Sequence, residues 1–388
     1  MVAQEELLSV VREIMSKFAH LTGISSEKPP RRYLWTDAFA VCNFLELYHR
    51  TEEGVYKQLA LHLVDQVHHV LGWHRKDDPR TGWISGLSDQ KGEKHPTAGG
   101  LRIGKELNER KPSEPLDRNL EWIRDGQYYH YLTKWMHTLN RVSQITGDPT
   151  YNQWGIELAK TAHAAFTYTS PFSGRKNMYW KMSIDLSHPL IPSMGQHDPL
   201  DGFITYNQLQ AVASENHEST NLRTEIADMA RICEGREWIT DDPLGIGGLL
   251  CNAYEAAQLI LTGYWKRTSL VADLLRSSQA GLEAYLNMKS MQLPADCRLA
   301  FRELGLSLGL HAVESLRELI SGKPDLFVDE KDLYSLLDSL QKYISLIQKI
   351  EGFWLEPTNR QTNSWKEHID INMVMLATTL IPEGYLGF

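Results

Sequence analysis

Two kinds of helical segment alternate along this chain, and that alternation limits what it can fold into more than any other feature. Residues 1–18 put Leu7, Val11, Ile14 and Phe18 on one stripe, the mark of a helix with one buried face. Residues 34–48 differ: Trp35, Phe39, Val41, Cys42, Phe44, Leu45 and Leu47 make them apolar nearly all round. A helix apolar on every side is buried on every side. Residues 55–71 return to the first kind, with Leu59, Leu63, Val67 and Val70 facing in and Lys57, Gln58 and Asp65 facing out. The pattern runs on through 123–145, which stops at Gly147, a residue suited to the left-handed position after a helix. Asp148-Pro149 then reads as an N-cap followed by the proline favoured at the first helical position. Further helices are predicted over 200–213, 217–233, 244–261, 269–288, 296–320, 332–350 and 362–380.

That makes about twelve helices, with no convincing period-two strand run between them. Six helical hairpins in series predict an all-α (α/α)6 toroid, an inner ring of buried helices wrapped by an outer ring, as one domain over residues 1–388. An open solenoid would need a sequence motif repeated at a fixed period of roughly 20–50 residues, and none is present.

Composition narrows the function. With 42% hydrophobic and 23% charged residues the chain is globular in type. No run of eighteen apolar residues occurs, so no membrane-spanning helix is expected. The first residues carry Glu5 and Glu6 and no apolar core, so a secretory signal is not expected. A net charge of −9 argues against nucleic-acid binding, which needs a basic footprint. Cys42, Cys233, Cys251 and Cys297 fit neither a zinc spacing nor a disulfide framework and are predicted to be reduced thiols of a cytoplasmic protein. No His-Glu-x-x-His or comparable ligand spacing exists, so neither a metal nor another cofactor is expected. A homo-oligomer is compatible with the sequence.

In a toroid, inner-helix N-termini converge, each with partial positive charge and free N–H groups. Polar residues at those positions are the candidates for a site. We expect Asp125, Asp201, Asp242, Glu367 and His368 to be catalytic. Trp35, Asp37, Gln127, Tyr128, His197, Asp198, Arg298, Arg302 and Trp365 are expected to bind substrate. Each has a plain structural alternative: Asp198-Pro199 and Asp242-Pro243 have the form of N-caps, Asp125 can pair with Arg124, and Glu303 or Glu367 can pair with Arg302 or Lys366. A helix N-terminus favours the charged carboxylate, so Asp201 and Asp242 suit a base or nucleophile. The proton donor should be a more enclosed group, Glu367 or His368 ahead of Glu303. His95, His130 and His197 also fall in mouth segments.

Two long connectors belong to the same end. Residues 72–117 hold Trp73, His74, Trp83, His95 and Arg102, and residues 168–197 hold Phe172, Arg175, Tyr179, Trp180 and Lys181. Connectors this long are usually functional lids or disordered linkers, and aromatic content argues against disorder. The first is expected to lend the site at least one of Trp73, Trp83, His95 and Arg102. Aromatic faces pack on the C–H faces of pyranose rings, while Asp, Gln, Asn and Arg match sugar hydroxyls. The mixture therefore points to a small saccharide or glycoside as substrate.

Short motifs carry a family resemblance. Asp125-Gly126-Gln127-Tyr128 through Thr146-Gly147-Asp148-Pro149, and Ser364-Trp365-Lys366-Glu367-His368, resemble segments of the N-acylglucosamine/cellobiose 2-epimerase family, one of the (α/α)6-barrel carbohydrate-active groups that also include the six-hairpin glycosidases. The resemblance implies an acid/base role for His368. Where those epimerases carry Gly-His-x-x-Glu-Trp, this chain reads Asp241-Asp242-Pro243-Leu244-Gly245-Ile246-Gly247-Gly248, without a histidine. Aspartates there suit a carboxylate pair flanking a glycosidic bond. The first expectation is thus a glycoside hydrolase-like enzyme. The alternatives are a sugar epimerase or isomerase using His368 and His197, or a non-catalytic helical scaffold.

Overall fold

A computed structural model describes residues 2–111, 113–213, 221–327 and 332–387. The chain is all-α, 64% helical with five short strands among the described residues. It divides into two compact units. One, here the N-terminal unit, is Ala19–Glu234; the other, the C-terminal unit, joins Met1–Phe18 to Gly235–Phe388.

Helix α1 (Val2–Leu21) buries Val11, Ile14, Met15 and Phe18 on its single apolar stripe. In the N-terminal unit, α2 (Leu34–Thr51) is buried without interruption from Leu34 to Leu47, and α3 (Gly54–Leu71) buries one side only. Single turns α4 (Asp89–Gly92) and α5 (Arg118–Glu121) punctuate the first connector. Strand β1 (Gln127–Tyr128) leads into α6 (Tyr129–Thr146), and α7 (Pro149–Phe166) returns. The second connector holds β2 (Thr167–Thr169), β3 (Lys176–Met178), β4 (Lys181–Met182) and β5 (Pro189–Ile191). Helices α8 (Asp198–Val212) and α9 (Arg223–Cys233) complete the unit; the predicted helix start at His217 lies outside the described residues. The buried helices α2, α6 and α8 lie side by side, backed by α3, α7 and α9. The strands form two small sheets, β1-β4-β5 and β2-β3, accessories to the helices.

The C-terminal unit repeats the scheme. Its helices are α10 (Pro243–Leu261), α11 (Thr268–Asn287), α12 (Ala300–Gly322), α13 (Leu333–Gln341), α14 (Ser345–Leu355), α15 (Asn363–Glu367), α16 (Ile369–Leu380) and α17 (Glu383–Leu386). Helix α12 lies between α10 and α16, with α11 behind α10 and α14 behind α12. Buried helices thus alternate with one-sided ones within each unit. Two predicted helices are broken in the structure: 332–350 becomes α13 and α14, and 362–380 becomes α15 and α16 with the break at His368. Helix α10 is long and apolar enough to cross a membrane by composition, yet 72% of it is buried inside the protein. It packs on α12 backbone to backbone. A Cβ on Gly247 would stand 2.0 Å from Gly305 O, and one on Gly309 would stand 2.5 Å from Gly247 Cα.

The caps behave as their residues dictate. Gly147 takes φ +74° and its N–H donates to Ser143 O, closing α6. Asp148 accepts from Thr150 N at 2.9 Å and Asp242 accepts from Gly245 N at 3.3 Å.

Candidate active site

The start of α6 concentrates chemistry in seven residues, Tyr128 to Lys134. Helical spacing puts Tyr131 and Lys134, and likewise His130 and Lys134, on neighbouring positions. Tyr129 turns the other way into the core, where its hydroxyl donates to Tyr206 Oη at 2.9 Å. The rings of Tyr128, His130 and Trp180 lie near-parallel in a triangle, with centroids 4.9 Å apart for Tyr128–Trp180, 5.4 Å for Tyr128–His130 and 6.5 Å for His130–Trp180. Tyr131 meets His130 edge-on at 4.7 Å and shares a 2.6 Å hydroxyl contact with Tyr33, which precedes α2.

Trp180 comes from the second connector. Strand β4 pairs antiparallel with β1, and Trp180 N–H donates to Ser193 O at 2.7 Å, so the indole is held over Tyr128. From the first connector Lys105 places its ammonium 5.2 Å above the Tyr33 ring. The result is an aromatic wall at the N-terminal ends of α2, α6 and α8, all within one unit.

Two carboxylates on α8 face this wall. His197 is the N-cap, Asp198 opens the helix, and Asp201 N–H donates to His197 O at 3.0 Å. Asp198 Oδ1 stands 3.7 Å from His130 Nδ1, and Asp201 Oδ2 stands 3.5 Å from Lys134 Nζ. Burial pushes the Asp198 carboxyl up to about 8, with the charge of Asp201 adding to the effect and a backbone hydrogen bond at Gly195 and Lys134 opposing it. Burial pulls His130 down to about 4, helped by Lys134 and Lys105 and opposed by Asp201. At neutral pH the site therefore holds a protonated carboxyl beside an unprotonated imidazole. Neither His130 Nδ1 nor Asp198 Oδ2 has a hydrogen-bond partner among the described residues. Both atoms are enclosed by protein, and the His130 side chain, about a quarter exposed, is the more open of the two. Gly195 lies against the Asp198 carboxylate, where a Cβ would come within 2.5 Å.

The other sequence-predicted residues are distributed as follows. Tyr128, Asp198 and Asp201 are in the site, with half-buried His197 at its edge. Asp198 corrects the expectation of a charged N-cap, because burial outweighs the helix N-terminus. Asp37 accepts from Tyr33 N at 2.9 Å and pairs with Arg32 at 3.4 Å, which seats Tyr33. Trp35 is buried against Phe39. Asp125 is fully buried, held by Arg102 Nη1 at 2.5 Å, Arg75 Nη1 at 3.3 Å and the N–H of Gly104 at 3.0 Å. Gln127 accepts from Leu101 N and donates to Gly99 O and Ile184 O, tying both connectors to the start of α6.

In the C-terminal unit, Asp242 caps α10 and pairs with Arg302 at 2.6 Å. Arg298 makes a buried two-point pair with Glu303 at 2.8 and 2.6 Å, Trp354 Nε1 donates to the same carboxylate, and Trp365 stacks on Trp354. Glu367 and His368 are exposed. The enclosure expected of a proton donor is not found at either, because α15 ends after five residues and the helix is interrupted there.

The first connector packs differently from expectation. Trp83 lies against Trp73 and His69, and His95 pairs with Glu157 on α7. Arg102 binds Trp73 O, Val70 O and Asp125. The residue that reaches the aromatic wall is Lys105. Sequence reasoning gave no role to Lys105, Tyr33, Tyr131 or Lys134. The spacing of His130, Tyr131 and Lys134 on one helical face was the available signal. Two hollows in this unit, of about 290 and 100 Å³, are lined by other residues and border neither His130 nor Asp198. Among the described residues no group of three or more His, Cys, Asp and Glu is arranged to hold a metal ion.

No family model and no curated protein matches this sequence. Among solved structures the chain is similar to cellobiose 2-epimerase from Spirochaeta thermophila DSM 6192. The two are 10% identical, with 96% of this chain and 97% of that one covered and a TM-score of 0.48. It is also similar to cellobiose 2-epimerase from Bacillus thermoamylovorans B4167, at 8% identity, 81% and 76% coverage and a TM-score of 0.39. At these TM-scores the likeness carries no argument about residues or chemistry.

Proposed function

We propose that this chain is a carbohydrate-active enzyme that moves a proton on the carbon beside a sugar carbonyl, as a 2-epimerase or isomerase does. One observation carries the reading: a neutral imidazole and a protonated carboxyl stand 3.7 Å apart beneath an aromatic wall. His130 is the base that takes the proton from C2 of an open-chain aldose. Asp198 gives its proton to the carbonyl oxygen as the C–H electron pair becomes the enediol double bond. Lys134 stabilises negative charge developing on that oxygen. Rotation of the enediol that turns the opposite face of C2 to the His130 imidazolium gives the epimer, with the O1 proton going back to Asp198; delivery of the His130 proton to C1, with the O2 proton passing to the Asp198 carboxylate, gives the ketose. Tyr128, Tyr131 and Trp180 pack on the sugar. Asp242, Glu367 and His368 take no step in this reading. The four cysteines, all free thiols, fit a cytoplasmic location.

A second reading rests on Asp198 and Asp201 being a carboxylate pair on one helix turn. They would serve as acid and base for glycoside hydrolysis, which leaves His130 without a task. Incubation with reducing aldoses and with aryl glycosides in D2O separates the two. Loss of the C2–H signal by proton NMR, abolished in His130→Gln, is the expected result. Aryl glycoside cleavage with no exchange at C2 would overturn the first reading in favour of the second.

A further inference from the structure

Lys105 brings a positive charge to the aromatic wall without a counter-ion. Its segment is fixed, since Arg75 Nη1 donates to Lys105 O at 2.6 Å. Lys105 is half-buried, and its ammonium lies over the Tyr33 ring and makes neither an ion pair nor a hydrogen bond with any described residue. Every other cation nearby is answered. Lys134 has Asp201 at 3.5 Å, Lys181 has Glu121 at 3.2 Å, Arg32 has Asp37 at 3.4 Å, and Arg75 and Arg102 share Asp125. Asp198 is the remaining carboxylate, and burial keeps it protonated. Arg75 also has Asp77 at 2.7 Å and Glu121 is shared with Arg110 at 2.7 Å, so the cations of the cluster outnumber its ionised carboxylates, in a chain whose total is −9. A ring face contributes only weakly to holding an ammonium. A half-buried cation without a counter-ion attracts an anion.

We propose that the site takes a sugar bearing an anionic group, a carboxylate or a phosphate ester, with Lys105 holding the anion while His130 and Asp198 face the other end. The inference rests on the sugar reading above and names its substrate class. The path from Lys105 to the acid/base pair is continuous: ammonium on Tyr33, Tyr33 Oη to Tyr131 Oη at 2.6 Å, and Tyr131 edge-on to His130 at 4.7 Å between ring centroids. That strip of tyrosine surface is where the sugar ring or chain would lie.

The test is calorimetric titration of the whole protein with D-glucuronate, D-glucose 6-phosphate and D-glucose, for wild type, Lys105→Met and Lys105→Arg. Thermal melts first confirm that each variant is folded. At least one anionic sugar should bind wild type about tenfold or more tightly than glucose, as a charge-assisted contact does. The preference should vanish in Lys105→Met, persist in Lys105→Arg and weaken with added salt. Which of the two anions binds decides between carboxylate and phosphate. Equal binding of glucose, no binding of either anion, or a preference that survives Lys105→Met overturns the inference. The sugar reading fails separately. Anion binding that needs Lys105 without any exchange at C2 leaves this inference standing and removes the acid/base role. Exchange on neutral sugars alone does the reverse.

Discussion

Between about pH 4 and 6.5 water would leave both Asp198 and His130 charged, and burial is the main cause that keeps both neutral. Turnover needs the imidazole unprotonated and the carboxyl protonated. The kcat/KM profile should therefore be bell-shaped, falling below about pH 4 as His130 gains a proton and above about pH 8 as Asp198 loses one. Stability follows Asp198 with a definite sign. Its native value lies above the unfolded one, so the native state keeps a proton that the unfolded chain releases above about pH 4. The stability so gained is full at low pH and is lost as pH rises towards 8. Asp198→Asn has no such loss, and urea titration at pH 7.5 should find it more stable than wild type by about 1–3 kcal/mol. The same variant should lose exchange activity. The sequence could not reveal this state. Asp-Pro at a helix start reads as a charged cap, and only the packing of the wall against α8 shows that the carboxyl is out of water.

The helices were legible because their apolar spacing repeats, and their ends because Gly147, Asp148 and Asp242 have only a few uses in those places. The connectors have no period, so neither the stacking of Trp180 on Tyr128 nor the approach of Lys105 could be read from sequence. The break at His368 was hidden for a different reason: no proline or glycine marks it, and the apolar pattern of α16 runs on through it. Asp125 belongs to this scale. It was a candidate by its place before α6, but the structure surrounds it with two arginines and two backbone N–H groups that join the first connector to the start of that helix. Asp125→Ala would leave Arg102 buried without its counter-charge. Chemical denaturation should show a loss of about 3–5 kcal/mol. Unchanged stability with selective loss of turnover would instead mark Asp125 as part of the chemistry.

Across the whole chain, acid should act on histidine before it acts on carboxylates. His68 is buried between Trp135 and Trp154, accepts from Trp135 Nε1 at 3.2 Å, and is pulled down to about 3 by burial. The unfolded chain takes up a proton at this residue below about pH 6.5 and the native chain does not. Stability from this group is present above that pH and falls as pH is lowered, by roughly 2 kcal/mol at pH 5. His68→Gln keeps an acceptor for the indole without a charge to gain. Its melting temperature should fall less than that of wild type between pH 6.5 and 5. The all-α class was readable at this scale because it needs only helix type and order. Burial of one histidine or one aspartate depends on neighbours far along the chain, which a single sequence does not supply.

The opposed protonation of His130 and Asp198 can be observed without a substrate. Carbon-13 NMR of protein labelled at the aspartate side-chain carboxyl, followed from pH 3 to 9, should show one resonance titrating near 8 that is absent from Asp198→Asn. If every aspartate carboxyl in the folded protein titrated below about pH 5, in the ordinary carboxylate range, Asp198 could not donate a proton at neutral pH, and the acid/base reading of this site would be wrong.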